Sequence, residues 1–223
     1  MSKSPPPVTL PDATDVRSIE AMRRPTVLVL ARLAAVLRGA RDADITFVPS
    51  DPLADDPYAE PGHEQSMGWT VGHVIAHLTA TLEESAALAA ELARGVTYHG
   101  RSRSEVEWHA VRTAAECRAR LAESRRMCLA AFGMWPDAPD LANTYEPWED
   151  APPHGPTARY MLGLSHAAAH IPQIVDALAQ ARADRWRRTR RGRLALWLRR
   201  RGGGAAATAE TERQPVASAM RAP

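Results

Sequence analysis

The chain has 223 residues, 45% of them hydrophobic, 24% charged and only 5% aromatic, with a formal net charge of +2. That length suffices for one domain with flanking tails and for a core that needs no metal or disulfide staple. Sparse aromatics with abundant Ala and Arg disfavour sheet, so an all-α fold is expected.

The charge is unevenly spread. Residues 1–181 carry 16 Lys and Arg against 23 Asp and Glu, a net of −7, whereas residues 182–201 hold ten Arg and a single acid, Asp184. The body therefore lacks the electrostatic footprint of a nucleic-acid binder. Cys117 and Cys128 lie eleven residues apart in one helical pattern. That is about 16 Å along a helix, too far for a disulfide within one straight helix. Two isolated thiols suit a reducing compartment, and the expected location is cytoplasmic. No apolar run reaches bilayer-spanning length, and Met1–Pro7 does not read as a secretory signal.

In chain order, residues 1–14 are Pro-rich and expected to be disordered. A first helix is expected from about Asp15 to Arg41, with Ile19, Met22, Val27, Leu30, Leu33 and Leu37 at helical spacing. Pro25 either kinks it or marks its start. Residues 42–68, with four prolines, read as a long connection of the kind that wraps over a site. A second helix opens at Trp69–Thr70 and runs to about Arg94, with Gly95 as its C-cap. Ser104 and Glu107 match a capping box, which predicts a third helix from there to about Phe132. A second long loop, Met134 to Pro156, precedes a fourth helix from about Thr157 to Arg182. Four long amphipathic helices imply a four-helix bundle over residues 15–182. Residues 183–223 form an Arg-rich, then Gly- and Ala-rich, tail. It reads first as a solvated, poorly ordered extension; the alternative, from its interleaved Trp186, Leu194, Leu196, Trp197 and Leu198, is a short amphipathic helix on an anionic membrane or a nucleic-acid arm.

The histidines carry the chemistry. His166 and His170 stand at i and i+4, on one helix face one turn apart. Alone, such a pair also occurs without function. Here the rest of the helix is apolar nearly all round, so the pair is buried and needs partners, and one metal ion serves both rings at once. On the second helix His73 and His77 form another such pair. His77 flanks the apolar stripe and is the better third ligand, while His73 turns away. His77, His166 and His170 are therefore the expected ligands of one divalent metal. Three imidazoles leave a coordination position open, the mark of a catalytic site. His63, His99, His109 and His154 fall in loops or on a polar face. A closed, structural site would need a fourth ligand such as His73 or Glu84.

Two segments together resemble the DinB-like superfamily. They are Gly68-Trp-Thr-Val-Gly-His-Val-Ile-Ala-His-Leu78 and Leu164-Ser-His-Ala-Ala-Ala-His-Ile-Pro-Gln-Ile174, and the resemblance covers about residues 15–181. It implies an up-down-down-up four-helix bundle with three histidine ligands, matched here by His77, His166 and His170, and zinc or nickel as the metal. Relatives in that superfamily include thiol S-transferases and a mycothiol-dependent maleylpyruvate isomerase. The resemblance thus implies a small thiol co-substrate and an electrophilic substrate; a homodimer is also possible. A metal-dependent hydrolase and a non-catalytic metal-binding module are the alternatives. Trp69, Trp135, Asn143, Tyr145 and Trp148 either line the substrate pocket or serve ordinary loop packing. Pro172 departs from the family pattern and predicts a kink beside His170.

Overall fold

A computed structural model describes residues 9–11, 18–56, 59, 65–102, 104–189 and 191–198. Among the described residues six helices carry the fold: α1 (Ile19–Val36), α2 (Asp42–Ile45), α3 (Val71–Ala93), α4 (Ala114–Ala131), α5 (Pro156–Ala169) and α6 (Ile171–Arg188). No strand occurs among the described residues; the nearest approach is a single antiparallel bridge between Tyr145 and His154. The chain forms two compact units, residues 1–181 and 182–223.

In the first unit α1, α3, α4 and α5 make a four-helix bundle, with α5 extended by α6 as far as Ala181. Helix α3 packs on both α4 and α5, and α1 packs on the same two from the other side. Their contacts give the directions. His77 meets His166, and Ser85 meets Arg159, so α3 and α5 are antiparallel. Thr26 bonds Tyr160 at 2.6 Å, which pairs the early turns of α1 and α5. Arg120 reaches Thr79 and Glu83, while Val111 backs onto Gly72, so α3 and α4 run together. This is the up-down-down-up order.

Helix α3 is the central rod. Sixteen of its 23 residues are buried, among them Val71, Ile75, Leu78 and Leu82. The Thr70 side chain caps it by accepting the His73 N–H at 3.1 Å. Two glycines let neighbours approach closely. A Cβ on Gly72 would lie 2.0 Å from the Val111 carbonyl oxygen, and one on Gly163 would lie 2.1 Å from Ser85 Oγ. Gly163 thus brings α5 onto α3 one turn before His166.

Several boundaries differ from expectation. Helix α1 starts at Ile19 behind a Ser18 cap and carries Pro25 in its interior, so the proline does not end it. The first long connection contains the short helix α2. Its Asp44 carboxylate accepts the Arg41 N–H at 3.0 Å, and Asp42 accepts the Ala114 N–H at 3.0 Å. The third helix begins at Ala114, not after Ser104. The operative capping box is Thr113 with Glu116, nine residues beyond the expected one, Ser104 with Glu107. The intervening stretch makes only one 3-10 turn, Trp108–Ala110. Val111 is buried and Glu105 is taken up by a histidine on α3, and those contacts replace a helix there. The expected fourth helix is broken at His170 into α5 and α6. Pro172 has no N–H to offer the Ala168 carbonyl, so the α-helical ladder lapses at that turn.

Cys117 and Cys128 are both free and buried, and burial pushes each thiol up to about 12. They are core side chains, not nucleophiles. No helix among the described residues is long and apolar enough to cross a membrane.

The second unit holds the end of α6 and a further helical stretch, 191–198. Arg188 pairs with Asp184 at 2.7 Å, and Trp186, Leu194 and Leu198 are exposed. The segments expected to be disordered, 1–14 and the Gly- and Ala-rich part of the tail, lie largely outside the described residues.

Candidate metal centre

The three histidines singled out by spacing meet at one point. His77 Nε2 lies 2.9 Å from His166 Nε2, which lies 3.2 Å from His170 Nε2. One nitrogen from each ring lies within 4.8 Å of the others. Neighbouring ligands about 2.1 Å from one ion stand about 3.0–3.4 Å apart, so these separations suit a shared divalent cation. Among the described residues no other group of three or more His, Cys, Asp or Glu side chains converges in this way.

The outer nitrogens of two of the rings have partners of their own. His77 Nδ1 bonds Glu105 Oε1 at 2.9 Å, and His170 Nδ1 bonds Gln173 Oε1 at 2.7 Å. Both partners accept, so in the neutral rings the proton sits on Nδ1 and Nε2 presents a lone pair. The Glu105 carboxyl is held below its usual range chiefly by that bond to His77. Burial pushes His166 down to about 4, helped by the neighbouring His170 and His77, and burial also lowers His170. Burial thus favours the neutral form of His166 and His170, the form a metal ligand requires.

Trp69 forms a wall of the site. Its ring meets His77 edge-on at 4.9 Å and lies 6.2 Å from His170. On its other side it stacks on His73 at 4.2 Å, and His73 stacks in turn on Trp108 at 4.7 Å. His73 is thus clamped between two indoles, outside the cluster, and burial pushes it down to about 4.

The remaining candidates take other roles. His99 pairs with Glu91, His109 stacks on Trp108, and His154 bridges to Tyr145. His63 lies outside the described residues. Glu84 binds Arg101 and the Ser102 backbone N–H, so it supplies no fourth ligand. Asn143 ties its loop to the Leu92 and Val96 carbonyls. Trp135 is buried, Trp148 is exposed, and Tyr145 stacks on Tyr98 at 3.9 Å.

Glu105 and Gln173 are the residues that sequence reasoning missed. Gln173 had a signal, since it stands three residues after His170, about one helical turn on in the expected fourth helix. Glu105 had none, because only the folded chain brings it 28 residues back to His77. Beside Glu105 opens a groove of about 450 Å³ along α3 and the 99–106 segment, with Leu88 and Met127 on its apolar side.

A bundle of four rods that brings three imidazoles together from facing helices is the kind of scaffold in which a metal centre can be built. The chain belongs to the DinB superfamily, whose family model matches residues 26–174. That span includes all three histidines, Glu105 and Gln173. No curated protein and no solved structure matches the chain.

Proposed function

We propose that the protein is a divalent-metal-dependent enzyme, with zinc or nickel held by His77, His166 and His170. We further propose that it transfers a small cellular thiol to an electrophilic substrate. The observation that carries this reading is the convergence of three Nε2 atoms, at 2.9 and 3.2 Å, with the Nδ1 atoms of His77 and His170 anchored. When bound, a divalent ion there supplies Lewis acidity that lowers the pKa of a thiol or water brought to it.

The chain's own residues do the rest. Glu105 and Gln173 fix the tautomer and direction of His77 and His170, as outer partners of metal-ligating histidines do. Trp69 and the buried α3 and α5 faces exclude water from one side, which strengthens electrostatic interactions there. A donor set of three, with His73 and Glu84 both engaged elsewhere, leaves room for a substrate rather than a fourth protein ligand. DinB superfamily membership agrees with metal-dependent thiol chemistry but does not single out one reaction.

The test begins with metal analysis of the purified protein. Cobalt-loaded protein is then titrated with mycothiol, bacillithiol and glutathione. A sulfur-to-metal charge-transfer band is expected with one of them, along with adduct formation faster than in His170→Ala. If no thiol changes the spectrum and no adduct forms faster than in that variant, the transferase reading fails. Hydrolysis at the same centre would then be the reading to pursue.

A further inference from the structure

The end of α6 and the residues after it differ chemically from everything before them. Residues 182–201 hold ten Arg against the single acid Asp184, with Trp186, Leu194, Leu196, Trp197 and Leu198 interleaved. Asp184 is itself paired with Arg188 at 2.7 Å, so it offsets little of that charge.

Local structure gives this composition a shape. Helix α6 ends at Arg188, and a second helix follows over 191–198. Thr189 joins the two. Its hydroxyl donates to the Trp186 carbonyl at 2.7 Å and accepts the Gly192 N–H at 3.0 Å. Its own carbonyl accepts the Arg193 N–H at 3.0 Å. One residue thus satisfies a carbonyl at the end of one helix and N–H groups at the start of the next. Gly192 makes the corner tight, since a Cβ there would lie 2.1 Å from the Trp186 carbonyl oxygen.

The second helix leaves its large apolar side chains in solvent. Leu194 and Leu198 are 58% and 55% exposed, and Trp197 is 48% exposed. Spacings of three and four residues put these side chains on one face. Arg191 stands three residues before Leu194, and Arg193 four before Trp197, so charge borders that face at its first turn. Both arginines are exposed. Trp186, on the last turn of α6, is exposed as well. Charge of one sign calls for an anionic partner, and the choice lies between nucleic acid and a lipid surface. A phosphate backbone engages the arginines but gives Leu194 and Leu198 nothing to pack on. A bilayer interface engages both sets: headgroup phosphates meet the guanidinium groups, and the acyl boundary beneath takes Leu and Trp. The 191–198 helix is about 12 Å long, far short of a bilayer span, so it suits the interface plane and not a crossing.

We propose that the last turn of α6 and the 191–198 helix form a docking surface for an anionic lipid bilayer. Leu194, Trp197 and Leu198 enter the headgroup boundary, and the flanking arginines hold headgroup phosphates. Neither the short stripe nor the charge suffices alone, so docking selects anionic lipid and is reversed by salt. The inference does not depend on the metal centre.

The experiment uses the full-length protein. It is sedimented with vesicles of equal parts phosphatidylglycerol and phosphatidylcholine and, separately, of phosphatidylcholine alone. Binding to the mixed vesicles is expected, weakened by added salt and about tenfold or more tighter than to phosphatidylcholine. Leu194→Gln with Leu198→Gln keeps every charge and should weaken binding about tenfold, since two leucine side chains then gain nothing by leaving water. Arg187→Gln with Arg191→Gln keeps the stripe and should weaken binding while flattening its salt dependence. All four residues are exposed, so circular dichroism of both variants should match the wild type. No sedimentation with the mixed vesicles, equal binding to both vesicle types, or undiminished binding in the leucine variant each overturns the proposal. Tighter binding to a DNA duplex than to the mixed vesicles overturns it in favour of a nucleic-acid arm. Sedimentation velocity without lipid reads the remaining occupant. A dimer that the leucine variant converts to monomer would overturn the proposal by assigning the stripe to a second copy of the chain.

Discussion

Glu105 accepts the Nδ1–H of His77 at 2.9 Å across 28 residues of chain, and this bond couples the connection between α3 and α4 to the proposed metal centre. The carboxylate makes the imidazole a stronger donor and fixes its ring plane. Glu105→Ala should lower metal affinity by about 10- to 100-fold, the usual cost of losing an outer partner. Circular dichroism should be unchanged, because Glu105 is a partly exposed loop residue. Competition with a chromophoric chelator measures the affinity; an unchanged value would show that the bond plays no part in ligation.

His166 is the histidine common to both short nitrogen contacts, so among the proposed ligands its loss should be the most damaging. His166→Ala should abolish tight metal binding while leaving the helical content of the metal-free protein intact. The core supports that expectation: Leu33, Ile75, Leu78, Leu82, Leu164 and Ile174 are fully buried without help from the cluster. An unfolded metal-free protein by circular dichroism would make the ion a structural staple and weaken the enzyme reading.

The helices and the histidine pair were legible in the sequence, and the start of α4 was not. The 3.6-residue pattern of α3 and the His-Ala-Ala-Ala-His run are local, so helices and ligand pair could be read from spacing alone. His77 was separable from His73 because a helical wheel distinguishes neighbouring faces. The start of α4 was not, since Ser104–Glu107 and Thr113–Glu116 are both capping boxes in composition, and tertiary contacts of Glu105 and Val111 decide between them. Arg159 was silent for a similar reason. Its burial depends on Gly163 drawing α5 against Ser85, which no local pattern encodes.

Burial of neutral histidines predicts a pH dependence for the metal-free protein. His73 and His166 are each pushed down to about 4 from 6.5. Between those values the unfolded chain binds more protons than the folded one. Stability should therefore be fully present above about pH 6.5 and be lost as pH falls towards 4. His73→Phe keeps a ring between Trp69 and Trp108 and removes one of the titrating groups. Urea melts of the chelated proteins between pH 7.5 and 4.5 should show a shallower decline for that variant, and identical slopes would contradict the assignment.

Gly163 sets the spacing of the two helices that carry the cluster. A Cβ there would lie 2.4 Å from Ser85 Cβ, an atom that rotamer changes do not move. Gly163→Ala should destabilise the fold by about 1–3 kcal/mol through overpacking. It should also weaken metal binding, because α5 is displaced one turn before His166. Adding Ser85→Gly removes the clashing atoms, so the double variant should recover much of the metal affinity. Losses that simply add in the double variant would place the effect elsewhere than at this contact.

Pro172 breaks the ladder between α5 and α6 at the turn that carries His170. The break has two consequences that oppose each other. It sacrifices helix stability, because the Ala168 carbonyl loses its intrahelical donor. It also allows His170 to leave the strict direction of a continuous helix, so its Nε2 reaches His166 at 3.2 Å while its Nδ1 meets Gln173 at 2.7 Å. Pro172→Ala restores the donor and the helical option. The variant should therefore melt at a higher temperature in the absence of metal. It should also bind metal about tenfold more weakly, since a ligand turned off its direction loses much of its bond to the ion. Thermal melts of the chelated protein and chelator competition read the two effects separately. A gain in stability with no loss of affinity would mean that the break is only tolerated by the bundle and does not aim His170.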